Sequence, residues 1–208
     1  ENLYELCRQE EEIEIGDTKV YPGDLLAVYL DYMLKFLGIT DLNRKVLYLG
    51  ITVESLDAPM VRNIRQAFRI LGYREKQYRI MDYGESFYYL AMKKKSELWC
   101  RQAGWYHFEG NTVTFRKLSM NVTVKPVTVK LDPPVTRELN EREKDLSFYQ
   151  LIQDTLRTEP FVHIYITGNG FSQDWAKKSC GTLAKNRRRV FIGNNMNVLG
   201  ACEAGKER

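Results

Sequence analysis

The residues that could do chemistry in this chain lie around short turns. The stretch "VHIYITGNGFSQDW", residues 162–175, is an apolar run that breaks at a Gly-Asn-Gly turn and enters a predicted helix. Gly168 and Gly170 carry no Cβ, so the backbone there could approach a ligand such as a nucleotide closely. The same two glycines also suit a tight strand-to-helix turn without any ligand. The residues alone leave both interpretations open.

A second turn lies between two strand-like runs in "GWYHFEGNTVTFRKL" and predicts a β-hairpin centred on Gly110. His107 precedes the turn and is a weak candidate for a general base. A single histidine on a strand, with no evident partner in the sequence, more often has a structural role. The structural interpretation of His107 is therefore favoured.

Cysteine chemistry has little support. The four cysteines, Cys7, Cys100, Cys180 and Cys202, form no CxxC pair, and the chain has two histidines, so no metal site is predicted. Basic neighbours in "KKSCGTL" could lower the pKa of Cys180, but that residue lies within a predicted helix without a partner histidine. Isolated buried thiols in a reducing compartment are the favoured interpretation.

The composition excludes several classes of protein. With 44% hydrophobic and 28% charged residues, the chain has the balance of a folded globular protein rather than of a disordered or fibrous one. No apolar run approaches the about 20 residues that span a bilayer. The acidic start "ENLYELCRQEEEIEIG" lacks the features of a secretion signal, which predicts a cytoplasmic protein. A chain that begins without Met also fits a fragment of a longer protein.

The net charge of +4 comes partly from two basic runs, "KKK" at residues 93–95 and "KNRRR" at residues 185–189. A nucleic-acid surface would interleave such runs with stacking aromatic residues along one face. The second run lies instead at a predicted helix end, where cations interact favourably with the helix dipole. Nucleic-acid binding is therefore the less favoured interpretation, and it would weaken steeply with salt.

The first half of the chain predicts the element order α-β-α-β-α. The predicted elements are a helix at residues 22–37, a strand at 46–53, a helix at 58–71 capped by Asp57, a strand at 78–81 and a helix at 85–95. Two parallel strands alone do not form a stable sheet, so these strands require partners from elsewhere.

The second half predicts the order β-β-β-α-β-α-β-α. After the hairpin, "NVTVKPVTVKL" alternates as a third strand, with Pro126 at an edge or bulge, and residues 132–141 have the composition of a loop. Three antiparallel strands followed by alternating helices and parallel strands form the ribonuclease-H-like unit. The first half is what remains of that unit without its three opening strands. We therefore predict an α/β fold of tandem ribonuclease-H-like (actin-like) units, residues 1–94 and 95–208, of which the first is incomplete.

Several segments together resemble the actin and DnaK-type chaperone superfamily. "VYPGDLLAVYLDYMLKFLG" is similar to its helix after a Pro-Glu-Glu-like start, and "IYITGNGFSQDW" resembles its adenosine loop, with Gly168 and Gly170 in the glycine positions. "RVFIGNNMNVLGACEAG" resembles its closing segment, with Gly200 and Ala201 at the Gly-Ala step. The pattern "GNGF…W…C…RRVF.G.N…GAC.A" also resembles a bacterial family of actin-like proteins, mainly from Firmicutes, without an established activity.

The resemblance implies that ATP or ADP, with Mg²⁺, would bind between two β-hairpins. In the superfamily, the second hairpin carries an Asp and a glycine-rich turn whose backbone N–H groups grip phosphate. Here His107 stands in the place of the Asp, and Glu109 and Asn111 flank the one remaining glycine, Gly110. A carboxylate there would repel phosphate unless a metal ion intervened, and only one glycine remains to permit close approach. The resemblance therefore implies that Gly110 belongs to a degenerate phosphate loop.

The resemblance also places the residue that would polarise an attacking water within "MDYGES". Asp82 and Glu85 are both weak candidates for this catalytic role. The competing interpretation is structural, with Asp82 as a helix cap and Glu85 as a carboxylate in the first helical turn.

These observations favour a non-catalytic or weakly nucleotide-binding scaffold or assembly module, with a protein partner or self-assembly. The alternative is an active ATPase or phosphotransferase whose first phosphate loop lies upstream of Glu1. A nuclease of the ribonuclease-H type needs clustered carboxylates to hold two metal ions, and the central hairpin offers Glu109 alone.

Overall fold

The computed structural model of this protein describes residues 2–9, 11–39, 48–93, 102–157 and 160–207. The chain divides into two compact units, Glu1–Glu85 with Ala204–Arg208, and Ser86–Glu203. The helices are α1 (Leu3–Cys7), α2 (Pro22–Phe36), α3 (Ala58–Ile70), α4 (Tyr83–Met92), α5 (Lys144–Leu156), α6 (Lys177–Leu183) and α7 (Met196–Lys206). The strands are β1 (Ile13–Ile15), β2 (Thr18–Val20), β3 (Leu49–Val53), β4 (Tyr78–Asp82), β5 (Gln102–Glu109), β6 (Thr112–Asn121), β7 (Thr128–Leu131), β8 (Val135–Glu138), β9 (Phe161–Gly168) and β10 (Arg189–Ile192).

The first unit contains a parallel pair of strands, β3 and β4, covered by helices. Its core comprises buried side chains from α1, α2, β3, α3, the segment after α3, and β4: Cys7, Leu34, Val53, Met60, Ile64, Phe68, Tyr73 and Tyr78. Buried polar groups tie the helices together. The Asn63 side-chain amide donates to the carbonyl oxygens of Cys7, at 3.0 Å, and Gln9, at 3.2 Å.

The predicted helices and strands of the first half are present, with differences at their ends. Residues 46–47 of the predicted strand and 94–95 of the last predicted helix lie outside the described residues. Asp57 occupies the N-cap position of α3, but its side chain does not cap the helix. It accepts hydrogen bonds from Arg8 Nε at 2.9 Å and Ser55 Oγ at 3.0 Å instead. Helix α1 and the hairpin β1–β2 were not predicted.

The second unit is built on a six-stranded mixed sheet. The strand order is β10-β9-β5-β6-β7, and β8 also pairs with β6. Strands β5, β9 and β10 are parallel to one another, whereas β6 is antiparallel to β5, β7 and β8. The predicted α/β class, with helices flanking mixed sheets, is therefore confirmed.

Alternating side chains of the central strands face opposite sides of this sheet. On one face, Tyr106 and Phe108 pack against Phe148 of α5. On the other face, Trp105 and Tyr165 pack against Phe87 of α4. Helices thus cover both faces, and β5 and β9 are buried in the middle.

Two predictions for residues 121–141 were wrong, one for the third strand and one for the loop after it. The strand does not run through Pro126, because β6 ends at Asn121 and β7 begins at Thr128. The residues predicted as a loop contain β8, which pairs with the first half of β6 through the register Thr112↔Glu138 to Phe115↔Val135. Loop composition did not reveal this pairing, because the partner strand is distant in sequence.

The helix predicted after the Gly-Asn-Gly turn does not begin directly behind that turn. Residues 173–175 form a turn, in which Asp174 N–H donates to Ser172 Oγ at 3.2 Å, and α6 starts at Lys177. The carboxylate of Asp145, on α5, accepts the N–H groups of Lys178 and Ser179 at 2.8 and 3.0 Å. A side chain from another helix therefore caps α6.

None of the helices in the described part of the chain is long and apolar enough to cross a membrane.

Candidate functional site

The carboxyl ends of β5, β9 and β10 lie at one edge of the six-stranded sheet, because these three strands are parallel. The turn at Gly110 follows β5, the Gly168-Asn169-Gly170 loop ends β9, and Gly193 follows β10. In open α/β sheets, ligands bind outside the carboxyl ends of strands. The structure thus brings three of the four glycines predicted for nucleotide contact to this edge.

The β5–β6 turn and the loop after β9 are in direct backbone contact. A Cβ at Gly170 would overlap the carbonyl oxygen of Gly110, and a Cβ at Gly168 would overlap the backbone of Phe108. Gly168 also has φ +102°, which side-chain-bearing residues rarely adopt. The close approach that these glycines permit is therefore an approach of one protein segment to another.

The backbone N–H groups of this loop cluster are bonded within the protein. Gly110 N–H donates to Asn169 Oδ1 at 2.9 Å, and Asn169 N–H donates to the carbonyl oxygen of Phe108 at 3.1 Å. Gly168 N–H donates to Asn194 Oδ1 at 2.8 Å. Sequence reasoning missed Asn169 and Asn194. Their position beside glycines in "GNG" and "GNN" was the available signal, because asparagine side chains often bond nearby backbone in turns.

His107 has partners that the sequence did not reveal. Its Nδ1 lies 2.7 Å from Thr167 Oγ1, which also accepts the indole N–H of Trp105 at 2.8 Å. Its Nε2 lies 3.5 Å from Glu109 Oε1. A hydroxyl that accepts the indole proton can donate its own proton to Nδ1, which places the proton of a neutral ring on Nε2, toward Glu109. The imidazole is thus oriented between a buried hydroxyl and an exposed carboxylate.

The charges beside the loop are a carboxylate and a lysine with protein partners. Glu109 is exposed at the end of β5. The ammonium of Lys144 donates to the carbonyl oxygen of Gly170 at 3.2 Å and lies 4.9 Å from the ring centroid of Trp175. Lys144 therefore holds the loop through its carbonyl and through a cation–π contact.

Asp82 and Glu85 lie at the start of α4. Asp82 Oδ1 accepts the backbone N–H of Glu85 at 2.7 Å, which is the geometry of an N-terminal cap. The Glu85 carboxylate forms an ion pair with Arg79. Both carboxylates thus have partners within the first unit.

Gly200 lies on α7, and its nearest neighbours belong to Ser86 of α4. A Cβ there would overlap the backbone carbonyl of Ser86, so this glycine permits close packing of α7 on α4. Ser86 Oγ donates in turn to the carbonyl oxygen of Asn197, at 2.5 Å.

A cavity of about 460 Å³ lies at the carboxyl ends of β9 and β10 and was not predicted. It is lined by residues of α4, β9, β10 and α7: Leu90, Lys93, Tyr165, Thr167, Val190, Phe191, Ile192, Gly193, Asn195, Met196 and Leu199. The rings of Tyr165 and Phe191 stack with centroids 5.1 Å apart. The other lining side chains are mainly aliphatic or aromatic. The one charged lining residue, Lys93, forms an ion pair through its Nζ with Glu203 Oε1 at 2.7 Å.

The cysteines differ from one another in environment. Cys7 is buried, and burial raises the pKa of its thiol to about 11. Cys180 is half-buried, and burial, followed by the charge of Asp145, raises its pKa rather than lowering it. Cys202 is exposed, so the prediction of a buried thiol was wrong there, and Cys100 lies outside the described residues. Within those residues, no group of three or more His, Cys, Asp and Glu side chains could hold a metal ion.

Comparison with known proteins gives a family and a structural likeness. A crystal structure from Bacteroides thetaiotaomicron VPI-5482, of a protein with an actin-like ATPase fold and unknown function, is similar with a TM-score of 0.41 and 12% sequence identity. The match covers 72% of this chain and 52% of that protein, so the chain spans about half of its length. No curated protein matches the sequence. A family model described as "Family of unknown function (DUF5716) C-terminal" matches residues 1–208, and the chain therefore belongs to this family.

Proposed function

We propose that this chain is part of an actin-like protein, built from ribonuclease-H-like units, that acts as a non-catalytic or weakly nucleotide-binding scaffold or assembly module. The observation that carries the proposal is the closed contact between the turn at Gly110 and the loop at Asn169. In this proposal, the edge of the sheet that binds phosphate in actin-like ATPases is instead closed by contact between these two loops. We call this contact, between the turn at Gly110 and the loop at Gly168–Gly170, the joint.

The hydrogen bonds of this joint support the loss of phosphate binding. A phosphate grip requires backbone N–H groups that point at the ligand. The N–H groups of Gly110, Gly168 and Asn169 are already bonded to protein oxygens. Phosphate could bind them only by displacing those oxygens, and phosphoryl transfer depends mainly on positioning and electrostatic stabilisation.

The charges point in the same direction. Glu109 is an exposed carboxylate at the end of β5, and it would repel a phosphate placed at the neighbouring turn. Lys144 is bonded to the carbonyl oxygen of Gly170. The ammonium group of Lys144 therefore stabilises the loop and does not form an ion pair with the Glu109 carboxylate.

Weak binding of a nucleoside remains compatible with the apolar cavity at the ends of β9 and β10. Aromatic and aliphatic side chains suit an uncharged base, and Thr167 and Asn195 supply polar groups at its lining. Under this proposal, ATP binds no more tightly than adenosine, because the phosphates contribute no favourable contact.

Calorimetry of the full-length protein with ATP and Mg²⁺, and separately with adenosine, tests the proposal. We expect dissociation constants weaker than about 1 mM, which corresponds to about −4 kcal/mol, and no release of phosphate. Glu109→Gln should strengthen ATP binding by less than about tenfold, since an exposed charge is screened, and Asp154→Asn, an exposed carboxylate toward the far end of α5 from Lys144, is the matched control. Micromolar ATP binding with turnover would overturn the proposal in favour of an active ATPase or phosphotransferase.

A further inference from the structure

A basic groove with a volume of about 870 Å³ runs along α3 in the described part of the first unit. We call it the arginine groove. Its lining comprises Leu56, Ala58, Val61, Arg62, Arg65, Gln66, Arg69, Tyr73, Arg74, Glu75 and Tyr78. Neither the sequence motifs nor the family description gives this surface a role.

The arginines of the groove form an ordered row. Arg62, Arg65 and Arg69 lie on the exposed face of α3, opposite the buried face that carries Ile64 and Phe68. Steps of three and four residues separate the arginines by about 4.5 and about 6 Å along the helix axis. The row therefore presents guanidinium groups at a spacing that matches an extended chain with repeated anionic groups.

Three arginines of the groove, Arg65, Arg69 and Arg74, have no ion-pair partner within the described residues. Glu75 is the one carboxylate among the lining residues. Guanidinium groups bind carboxylates in a two-pronged geometry, so this row suits an acidic partner.

The same unit carries a surface of opposite charge. The acidic hairpin, residues 11–20, contains β1 and β2, and its exposed carboxylates are Glu11, Glu12, Glu14 and Asp17, against a single lysine, Lys19. Ile15 is 51% exposed near its tip. A two-stranded hairpin is marginally stable alone in water, so one that exposes most of its residues benefits from a docking surface.

We propose that the arginine groove of one copy of this protein binds the acidic hairpin of a second copy. Alternate residues of a strand are about 6.6 Å apart, so Glu12 and Glu14 match the spacing of Arg65 and Arg69. The inference rests on the assembly role proposed above and supplies its contact.

The aromatic residues of the groove favour a protein occupant over a single-stranded nucleic acid. Binding of single strands depends on bases stacking on accessible aromatic rings. Tyr73 and Tyr78 are 6% and 9% exposed, and both pack against Phe68 in the core. They cannot offer a ring face to a base without unfolding the unit.

Sedimentation velocity of the full-length protein over a concentration series tests the contact. The wild type should self-associate at low salt and dissociate at high salt, because exposed charge pairs are screened. Arg65→Glu/Arg69→Glu and, separately, Glu12→Lys/Glu14→Lys should each be monomeric. An equimolar mixture of the two variants should associate again, since the intact groove of one variant then meets the intact hairpin of the other.

Three controls keep this test decisive. Lys177→Glu/Lys185→Glu makes the same charge change on exposed residues of the second unit and should self-associate like the wild type. Arg65→Ala/Arg69→Ala should also lose association, and because alanine favours helix formation, this change should leave α3 intact. Circular dichroism verifies that each variant is folded. A synthetic peptide of residues 11–21 should compete with association.

A wild type that stays monomeric at low salt, or a mixture that does not pair, would overturn the inference. Binding of a labelled oligonucleotide that Arg65→Glu/Arg69→Glu abolishes, with no self-association, would assign the groove to nucleic acid instead. If the protein stays monomeric and does not bind ATP, the groove–hairpin contact is overturned and the non-catalytic role stands. If the protein self-associates as expected but turns over ATP, the contact stands and the non-catalytic role is overturned.

Discussion

The backbone N–H of Gly110 donates a hydrogen bond to the Asn169 side chain at 2.9 Å, across 59 residues of sequence. This bond joins the β5–β6 turn to the loop that follows β9. Together with the overlap that any Cβ at Gly170 would create, it makes the two loops one packed structure. The edge of the sheet where open α/β sheets bind ligands is thereby held closed by protein contacts.

Removing the asparagine side chain should destabilise this joint. Asn169→Ala leaves the N–H of Gly110 without its acceptor, so we expect the free energy of unfolding to fall by about 1 kcal/mol. Urea denaturation measures the change. Gln173→Ala, in the same exposed loop, should change stability by less than about 0.5 kcal/mol, and an equal loss in both variants would contradict the role of Asn169.

A methyl group at Gly170 tests the close approach of the two loops. Gly170→Ala forces the loops apart or distorts them, because its Cβ would overlap the carbonyl oxygen of Gly110, and should cost about 2 kcal/mol or more. Gly181→Ala, on α6, meets nothing within 4 Å and should stabilise the protein by about 0.5–1 kcal/mol. Thermal unfolding followed by circular dichroism compares both variants with the wild type. A neutral Gly170→Ala would be incompatible with the packed joint.

The cap of α6 by Asp145 should make stability depend on pH. Burial alone would raise the pKa of Asp145, but hydrogen bonds from Ser179 and from the N–H groups of Lys178 and Ser179 outweigh it, and the pKa is lowered. A carboxylate with a lowered pKa in the folded state stabilises the protein above its unfolded pKa of about 3.9. That stabilisation is lost as the pH falls through the folded pKa.

We therefore expect Asp145→Ala to cost about 1 kcal/mol at neutral pH and progressively less below about pH 4. Urea titrations over a pH series measure the difference between wild type and variant. Glu138→Ala removes an exposed carboxylate that forms no cap and should show no such convergence. A difference that stays constant down to pH 2 would show that the Asp145 carboxylate does not act in its charged form.

The thiols should differ in reactivity. The folded protein, treated with iodoacetamide near neutral pH, should be alkylated first at the exposed Cys202, then at Cys180. Cys7 should resist, because its pKa of about 11 lowers its thiolate fraction roughly a hundredfold relative to a pKa of 9, and burial restricts access. Peptide mass spectrometry over time gives the order. Denatured protein is the control, in which Cys7 should react like the other thiols.

The sequence by itself determined the elements that have a strong local apolar pattern. Helix α3 was predicted because its apolar residues recur at helical spacing, and strands β3, β9 and β10 were predicted because each is a short run of mainly apolar residues. Both patterns are properties of neighbouring residues. The α/β class followed from the order of these elements. The hairpin at Gly110 followed from its turn residues, since a Gly-Asn pair between strand-like runs is a local signal.

Only the tertiary structure decided what depends on distant residues. Strand β8 exists because it pairs with β6, and α6 begins where the carboxylate of Asp145 meets its first N–H groups. The same holds for the candidate site. The sequence placed Gly110 and Gly170 in separate turns, and the parallel register of β5 and β9 brought those turns into contact, with Asn169 as the bond between them. Periodicity reports which face of an element is apolar, whereas contacts between loops depend on the packing of the whole sheet.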